Sequence, residues 1–249
     1  MYYQIEGTNV RLAGSMHVVP AGAMLPAWVL EAYQWSEDLY LEASQEEAQK
    51  YYFQPAGDSS ERRVSPDVWA TLKSVWPANH PLGAFGAQKL WVIAMGLSLS
   101  GIPLLLGVEN FVTKRAKADA RLIQYLETGA EFSQLMDGVT DVDYARGFEL
   151  LLSSSAQMRA NNIADMYAAW TSGQLQAVVE AQQRSPLAQF PGVREIVFDR
   201  RNVLWLPRII ATLASNRRTL IVVGAGHLGG KNGLLCLLEG AGYRYSEVA

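Results

Sequence analysis

Two histidines at opposite ends of the chain share a local setting. His17 closes Gly14-Ser15-Met16-His17 and His227 closes Gly224-Ala225-Gly226-His227, so each imidazole stands three residues after a glycine. Neutral imidazole is the commonest metal ligand and a proton shuttle near physiological pH. Gly14 and Gly224 permit a tight exit from a strand, and Gly226 lets backbone amides come close to a bound group, so these three are the candidate cofactor-contacting glycines. His80, in Asn-His-Pro, lacks such a setting and reads as a loop residue. Three glutamates, Glu42, Glu109 and Glu127, each follow a predicted strand, where they have the chemistry to hold a metal or move a proton. A single carboxylate in that position is more often a solvated residue or a helix-start acid favoured by the dipole. A shared sheet edge is what would make them a set.

The elements that must position them follow from the hydrophobic pattern. Residues 2–6 and 10–13 flank Gly7-Thr8-Asn9 and predict a hairpin whose second strand runs into His17. A helix is expected over 26–35, a strand over 38–42 in Asp-Leu-Tyr-Leu-Glu, helices over 66–76 and 86–97, and strands over 104–108 and 120–127, with Thr128 as the next helix cap. From about 129 to 184 the pattern is helical throughout, with Leu150, Leu151, Met158, Ile163, Met166, Tyr167 and Trp170 expected inside. A helix over 192–215 leads to Thr219-Leu-Ile-Val-Val223, a β-branched buried strand, then an apolar helix and a last strand over 243–248. This alternation predicts an α/β fold: a mostly parallel sheet flanked by helices, with a helical insertion at about 129–184 between two halves of a single 1–249 domain. Ligands of such sheets collect outside the carboxyl ends of the strands, where His17, Glu42, Glu109, Glu127 and His227 are all expected.

Composition narrows the function classes. The chain has 249 residues, 49% of them hydrophobic, and a formal charge of -3 with acids and bases interleaved. No basic stripe is present, so neither nucleic acid nor an anionic membrane surface is an expected partner. Residues 90–108 carry no charge, but Gly96, Ser98, Ser100, Gly101 and Pro103 interrupt the run, which reads as a buried helix and a short strand rather than a membrane span. Cys236, the single cysteine, is expected as a small core residue of an apolar helix. The first residues lack a positive segment followed by an apolar run, so a cytoplasmic location is expected, with a secreted or periplasmic one if a leader has been trimmed.

Gly224-x-Gly226-x-x-Gly229 between a strand and a helix also matches a dinucleotide fingerprint, with Glu247 placed for a ribose. That reading ranks second, because no βαβ units are expected downstream and a histidine in the turn would crowd a pyrophosphate. A phosphate loop fails at Ala225 and Asn232, and no Gly-x-Ser-x-Gly elbow supplies a nucleophile.

Taken together, Leu12-Ala13-Gly14-Ser15-Met16-His17-Val18, Leu-Tyr-Leu-Glu42, Gly107-Val108-Glu109, Tyr125-Leu126-Glu127-Thr128, Arg201-Asn202 and Val222-Val223-Gly224-Ala225-Gly226-His227-Leu228-Gly229-Gly230 resemble the TraB/GumN family, nearly end to end. That family is related to the Tiki metalloproteases and more distantly to the ChaN haem-protein and erythromycin esterase folds. The resemblance implies a divalent metal (manganese, cobalt or zinc) held by His17, His227 and Glu42, with Glu109 or Glu127 as second carboxylate or base, Arg201 as positive charge, and Asn202 orienting substrate or Arg201. The implied function is metal-dependent hydrolysis, peptidase-like or esterase-like, of a peptide or small molecule. The alternative is a non-catalytic metal-, haem- or peptide-binding protein using residues 129–184 as a docking surface. Homo-oligomerisation is left open.

Overall fold

A computed structural model describes residues 1–248. The expected hairpin is present as β1 (Tyr2–Ile5) and β2 (Val10–Ser15), turned at Gly7, whose φ of 73° is a conformation L side chains resist. Beyond it come β3 (Val18–Pro20), α1 (Ala27–Trp35), β4 (Asp38–Leu41) and α2 (Gln45–Ala48), then the helices α3 (Pro66–Val75) and α4 (Leu90–Leu99). Next are β5 (Leu104–Leu106), α5 (Val108–Ala118) and β6 (Ile123–Tyr125). Four helices follow: α6 (Gly129–Asp137), α7 (Asp141–Ser153), α8 (Ala156–Thr171) and α9 (Leu175–Gln183). Past α10 (Pro191–Arg194), a π-helix spans Glu195–Arg200 and feeds α11 (Arg201–Leu213). The chain closes with β7 (Thr219–Gly224), α12 (Leu234–Gly240) and β8 (Tyr245–Glu247).

Six strands form one sheet in the order β6-β4-β7-β2-β1-β8. The pairs β6/β4, β4/β7 and β7/β2 are parallel, while β1 is antiparallel to both β2 and β8, so β1 alone runs against the rest. The fold is therefore α/β with a mostly parallel sheet, as its alternating pattern predicts. The topology decides where a site can form. β7, late in the chain, inserts between β2 and β4, which sets the carboxyl ends of β2, β7 and β4 side by side at strand spacing. Buried Ile221, Val222 and Val223 of β7 pack with Leu12, Leu39, Val108, Trp205 and Ile209 in the main core. A second core, away from the sheet, gathers Trp69, Trp91, Phe148 and Phe190 from α3, α4, α7 and the segment before α10.

Residues 129–184 are helical as expected, and Thr128 caps α6 in a reciprocal capping box with Glu131. These helices pack on the sheet and its turns: the buried Trp170 indole donates to the Gly14 carbonyl at 2.7 Å, and Val178 of α9 joins the main core. Trp170 and Leu151 are buried and Leu150, Ile163, Met166 and Tyr167 partly so, but Met158 is 63% exposed, because it lies in the first turn of α8, beyond the reach of the core. Cys236 is likewise exposed rather than a core residue: α12 buries Leu234, Leu235 and Leu238, and position 236 falls on the opposite side of the helix. No helix among the described residues is long and apolar enough to cross a membrane; residues 90–99 form one short buried helix.

One strand sits elsewhere than expected. β5 is not a strand of the main sheet but pairs antiparallel with β3 in a separate two-stranded ribbon, Val18 opposite Leu106 and Pro20 opposite Leu104. An unbroken apolar triplet carries no period that distinguishes a sheet interior from a ribbon.

Candidate functional site

The carboxyl edge of the sheet collects the chemistry. β2 delivers His17, β4 delivers Glu42, β6 delivers Glu127, and β7 ends at Gly224 before the single turn that holds His227. Glu109 arrives by another route. The Gly107 amide donates to the His17 carbonyl at 2.8 Å and the Val108 amide to the Met16 carbonyl at 3.0 Å, which pins the start of α5 to the exit of β2 and puts Glu109 in its first turn. A side chain at position 107 would collide with the Met16 carbonyl, so this splice requires glycine.

His17, Glu42 and Glu109 each offer a ligand atom such that all three lie within 4.8 Å of one another. The Glu109 carboxylate stands 3.0 Å from His17 Nδ1 and accepts from Ser15 Oγ, a residue that sequence reasoning passed over. Glu42 Oε1 accepts from the Gly224 amide at 2.6 Å and lies 3.7 Å from His17 Nε2 and 3.8 Å from His227 Nε2, so the two imidazoles flank one carboxylate oxygen. Gly224 is the floor between them: a β-carbon there would stand 3.2 Å from His17 Nε2 and 3.3 Å from Glu42 Oε1. Gly14 and Gly226 face elsewhere, the first toward Leu228 and Ala225, the second against the Gln182 side chain of α9. Gly229 also packs on α9, at Val179 and Leu175. These glycines serve close packing of α9 and the turn, which leaves the dinucleotide reading without a surface for a pyrophosphate.

Arg201 is buried between the acids. Its Nε donates to Glu127 Oε1 at 2.9 Å, Nη2 to Glu42 Oε2 at 2.7 Å and to Glu127 Oε1, and Nη1 faces the Val197 carbonyl at 3.3 Å and His227 Nε2 at 3.4 Å. A guanidinium has five N–H groups, and these contacts engage all of them. Arg201 therefore positions Glu42 and Glu127 and supplies charge; it keeps no donor for a substrate oxygen. The aromatic rings of Phe132 and Trp205 lie 4.9 and 4.4 Å from its Cζ and hold its plane.

Asn202, 1% exposed, is also fully engaged. Its amide nitrogen donates to the carbonyls of His227 and Asn232, leaving Oδ1 to accept from His227 Nδ1 at 2.7 Å. That bond fixes the Nδ1–H tautomer and turns the Nε2 lone pair toward Arg201 and Glu42. Asn202 thus orients His227, rather than substrate or Arg201.

Charge states follow from these contacts. Burial against Trp205 and Phe198 depresses His227 to about 3, so its ring is neutral. Glu109 pushes His17 up to about 9, Glu42 adding to the effect while the surrounding protein and Arg201 oppose it. Solvent reaches His17 from one side, since 55% of the side chain is open at the mouth of the site. Burial by itself would raise Glu42, but Arg201, then the two histidines, hold it below the usual carboxylate range; with His227 neutral, Arg201 and His17 carry that effect. Glu127 is raised, burial outweighing Arg201.

The donor set fits a divalent cation. Imidazole and carboxylate are both ligands of divalent cations, and three protein ligands leave a position open for water. Glu109 Oε2 is buried with no partner in the protein, which is costly unless a proton or a cation meets it. The proton on His17 sits where the negative potential of Glu42 and Glu109 is concentrated, the place a cation would take. The expected ligand set named His227 where the geometry brings in Glu109. His227 adjoins Glu42 but has an Arg201 N–H on its Nε2.

A profile described as the TraB/PrgY/gumN family matches residues 3–247 of the chain. No curated protein and no solved structure matches it.

Proposed function

Because the chain belongs to the TraB/PrgY/gumN family, we propose that the edge site is a divalent-metal hydrolytic centre with peptidase-like chemistry. The observation that carries this reading is the close grouping of His17, Glu42 and Glu109 with an unpartnered buried oxygen on Glu109. His17, Glu42 and Glu109 would hold the ion, which when bound supplies Lewis acidity toward a scissile carbonyl and the attacking water. Glu109 Oε2, free of protein partners, accepts the proton of that water. Ser15 keeps the other oxygen of Glu109 turned toward His17. Arg201 locks Glu42 in an ionised, ligand-ready state and fixes Glu127 beside it, a supporting role played through charge and orientation rather than contact with substrate. His227, held neutral by burial and oriented by Asn202, lines the site next to Glu42 and keeps a second positive charge out of it.

Elemental analysis of the wild type beside His17→Ala and Glu42→Gln, followed by peptide and ester cleavage with manganese, cobalt or zinc, tests the reading. Metal should be lost in both variants. Glu109→Gln should keep the fold and lose turnover. Unchanged metal content in His17→Ala and Glu42→Gln would refute the centre.

A further inference from the structure

Beside the site, the β3/β5 ribbon has one edge guarded and one edge open. The bonds Gly107 N–H to His17 carbonyl and Ala21 N–H to Pro103 carbonyl identify residues 17/107 and 21/103 as hydrogen-bonded pairs of the antiparallel ladder. Alternation then makes 19/105 the third such pair and turns the backbone groups of Val18, Pro20, Leu104 and Leu106 outward. On β3 the outward position Pro20 has no N–H to offer, and α8 packs against that strand. On β5 the outward N–H and carbonyl groups of Leu104 and Leu106 find no backbone partner among the described residues. No proline, charge or bulge blunts this edge, and its side chains Leu105 and Leu106 are 49% and 60% exposed.

A bare apolar strand edge recruits another strand. Its place in the molecule says which. Leu106 lies opposite Val18, the residue after His17, and Gly107 joins β5 directly to the helix that carries Glu109. We infer that the outer edge of β5 is the substrate rail: an extended peptide segment adds to it as a third strand, bonded through Leu104 and Leu106, with apolar side chains against Leu105 and Leu106. This rests on the hydrolytic reading for its consequence, since a strand bound there leads a peptide bond toward His17, Glu42 and Glu109. Main-chain bonds on such a rail are indifferent to side chains, so selectivity comes from the alternate apolar contacts. A compact folded substrate would not fit; a flexible tail or loop would.

The test separates binding from turnover. Metal-stripped wild-type protein is titrated with a labelled library of unstructured synthetic peptides of about ten residues, enough for a strand of ordinary length. The tightest binder is then remade with a single N-methyl group at each amide in turn. Affinity should fall by about tenfold, the worth of one hydrogen bond, at alternate positions only. Amide exchange at Leu104 and Leu106 should slow with peptide bound. Leu106→Pro, which removes an outward N–H and leaves the inner ladder intact, should weaken binding similarly while keeping wild-type metal content. Should that variant fail to fold, the N-methyl scan on wild-type protein decides alone. Absence of any binder, or binding that shows neither alternation nor protection at β5, overturns the rail. Metal-dependent cleavage of a small ester distinguishes the two readings: cleavage without rail binding leaves hydrolysis standing and the rail refuted, whereas rail binding without cleavage of any substrate does the reverse.

Discussion

Replacing Gly224 by alanine puts one methyl group on the floor of the site and tests whether the gap between His17 and Glu42 is the working space. The backbone tolerates the change, since Gly224 has φ −52° and ψ 134°, a conformation open to any L residue. The added carbon would stand 3.2 Å from His17 Nε2, 3.3 Å from Glu42 Oε1 and 3.5 Å from His227 Cδ2, so a neighbour must give by a few tenths of an ångström. Glu42 is held from two sides, by the Gly224 amide and by Arg201, whereas the ring of His17 stands at the open mouth. His17 will therefore be the one to swing, and the ligand triangle opens. For stability, the restricted unfolded chain gains about 0.4–1 kcal/mol, crowding takes back a similar amount, and Tm should move by no more than about 2–4 °C. Metal affinity should fall about 10–100-fold, the range seen when ligand orientation is disturbed. Calorimetric titration with zinc or manganese, beside a thermal melt, reads both quantities. A variant with wild-type affinity and an intact melt would refute the assignment of the site to this gap.

Arg201→Met leaves Glu42 and Glu127 buried without their shared cation and should cost about 3–5 kcal/mol; a urea midpoint close to wild type would count against the ion-pair reading. His227 is depressed to about 3, so below its ordinary value of 6.5 the unfolded chain takes up a proton that the folded chain refuses. Its contribution is complete above about pH 6.5 and falls by up to about 1.4 kcal/mol for each pH step toward 3, a slope that His227→Gln should flatten in urea titrations. His17 has the opposite sign: raised to about 9, its stabilisation of the metal-free protein is complete below 6.5 and lost as pH climbs through 9. Metal uptake near neutral pH should consequently expel a proton from His17, so that calorimetric enthalpies differ between buffers of unlike ionisation heat and apparent affinity rises toward pH 9; buffer-independent heats would argue that His17 is not a ligand.

The strand ends bearing His17, Glu42 and His227 are readable because each closes a short run of buried β-branched or leucine residues, and the small residues at the end of β2 and after β7 mark the turns. The insertion of β7 between β2 and β4, which makes those ends neighbours, has no local signature. Glu109 reaches the expected edge without a strand of the main sheet: Leu104-Leu105-Leu106 reads as sheet interior, and only the splice of Gly107 to His17 reveals how Glu109 gets there. The roles of Arg201 and Asn202 depend on counting filled donors, a tertiary quantity. Ser15, Phe132, Phe198 and Trp205 carried no spacing signal, because their contacts join segments far apart in the chain. Hydrophobic character alone does not say that Cys236 faces away from the buried side of α12, nor that the first turn of α8, with Met158, lies beyond the core.

The π-helix at Glu195–Arg200 has a consequence for how this site tolerates sequence change. A π turn holds one more residue than an α turn, and such wide turns are rarely retained except near functional sites. Deleting Asp199 would let the segment relax into regular α-helix, a local improvement in backbone geometry. It would also rotate every preceding residue by about 100° relative to Arg201 and Asn202, pulling the Phe198 ring off His227 and the Val197 carbonyl off the guanidinium. Residues 195–200 should thus be a stretch where shortening the chain strengthens the scaffold and silences the site, so that length variation here separates lineages that keep the chemistry from those that keep only the fold.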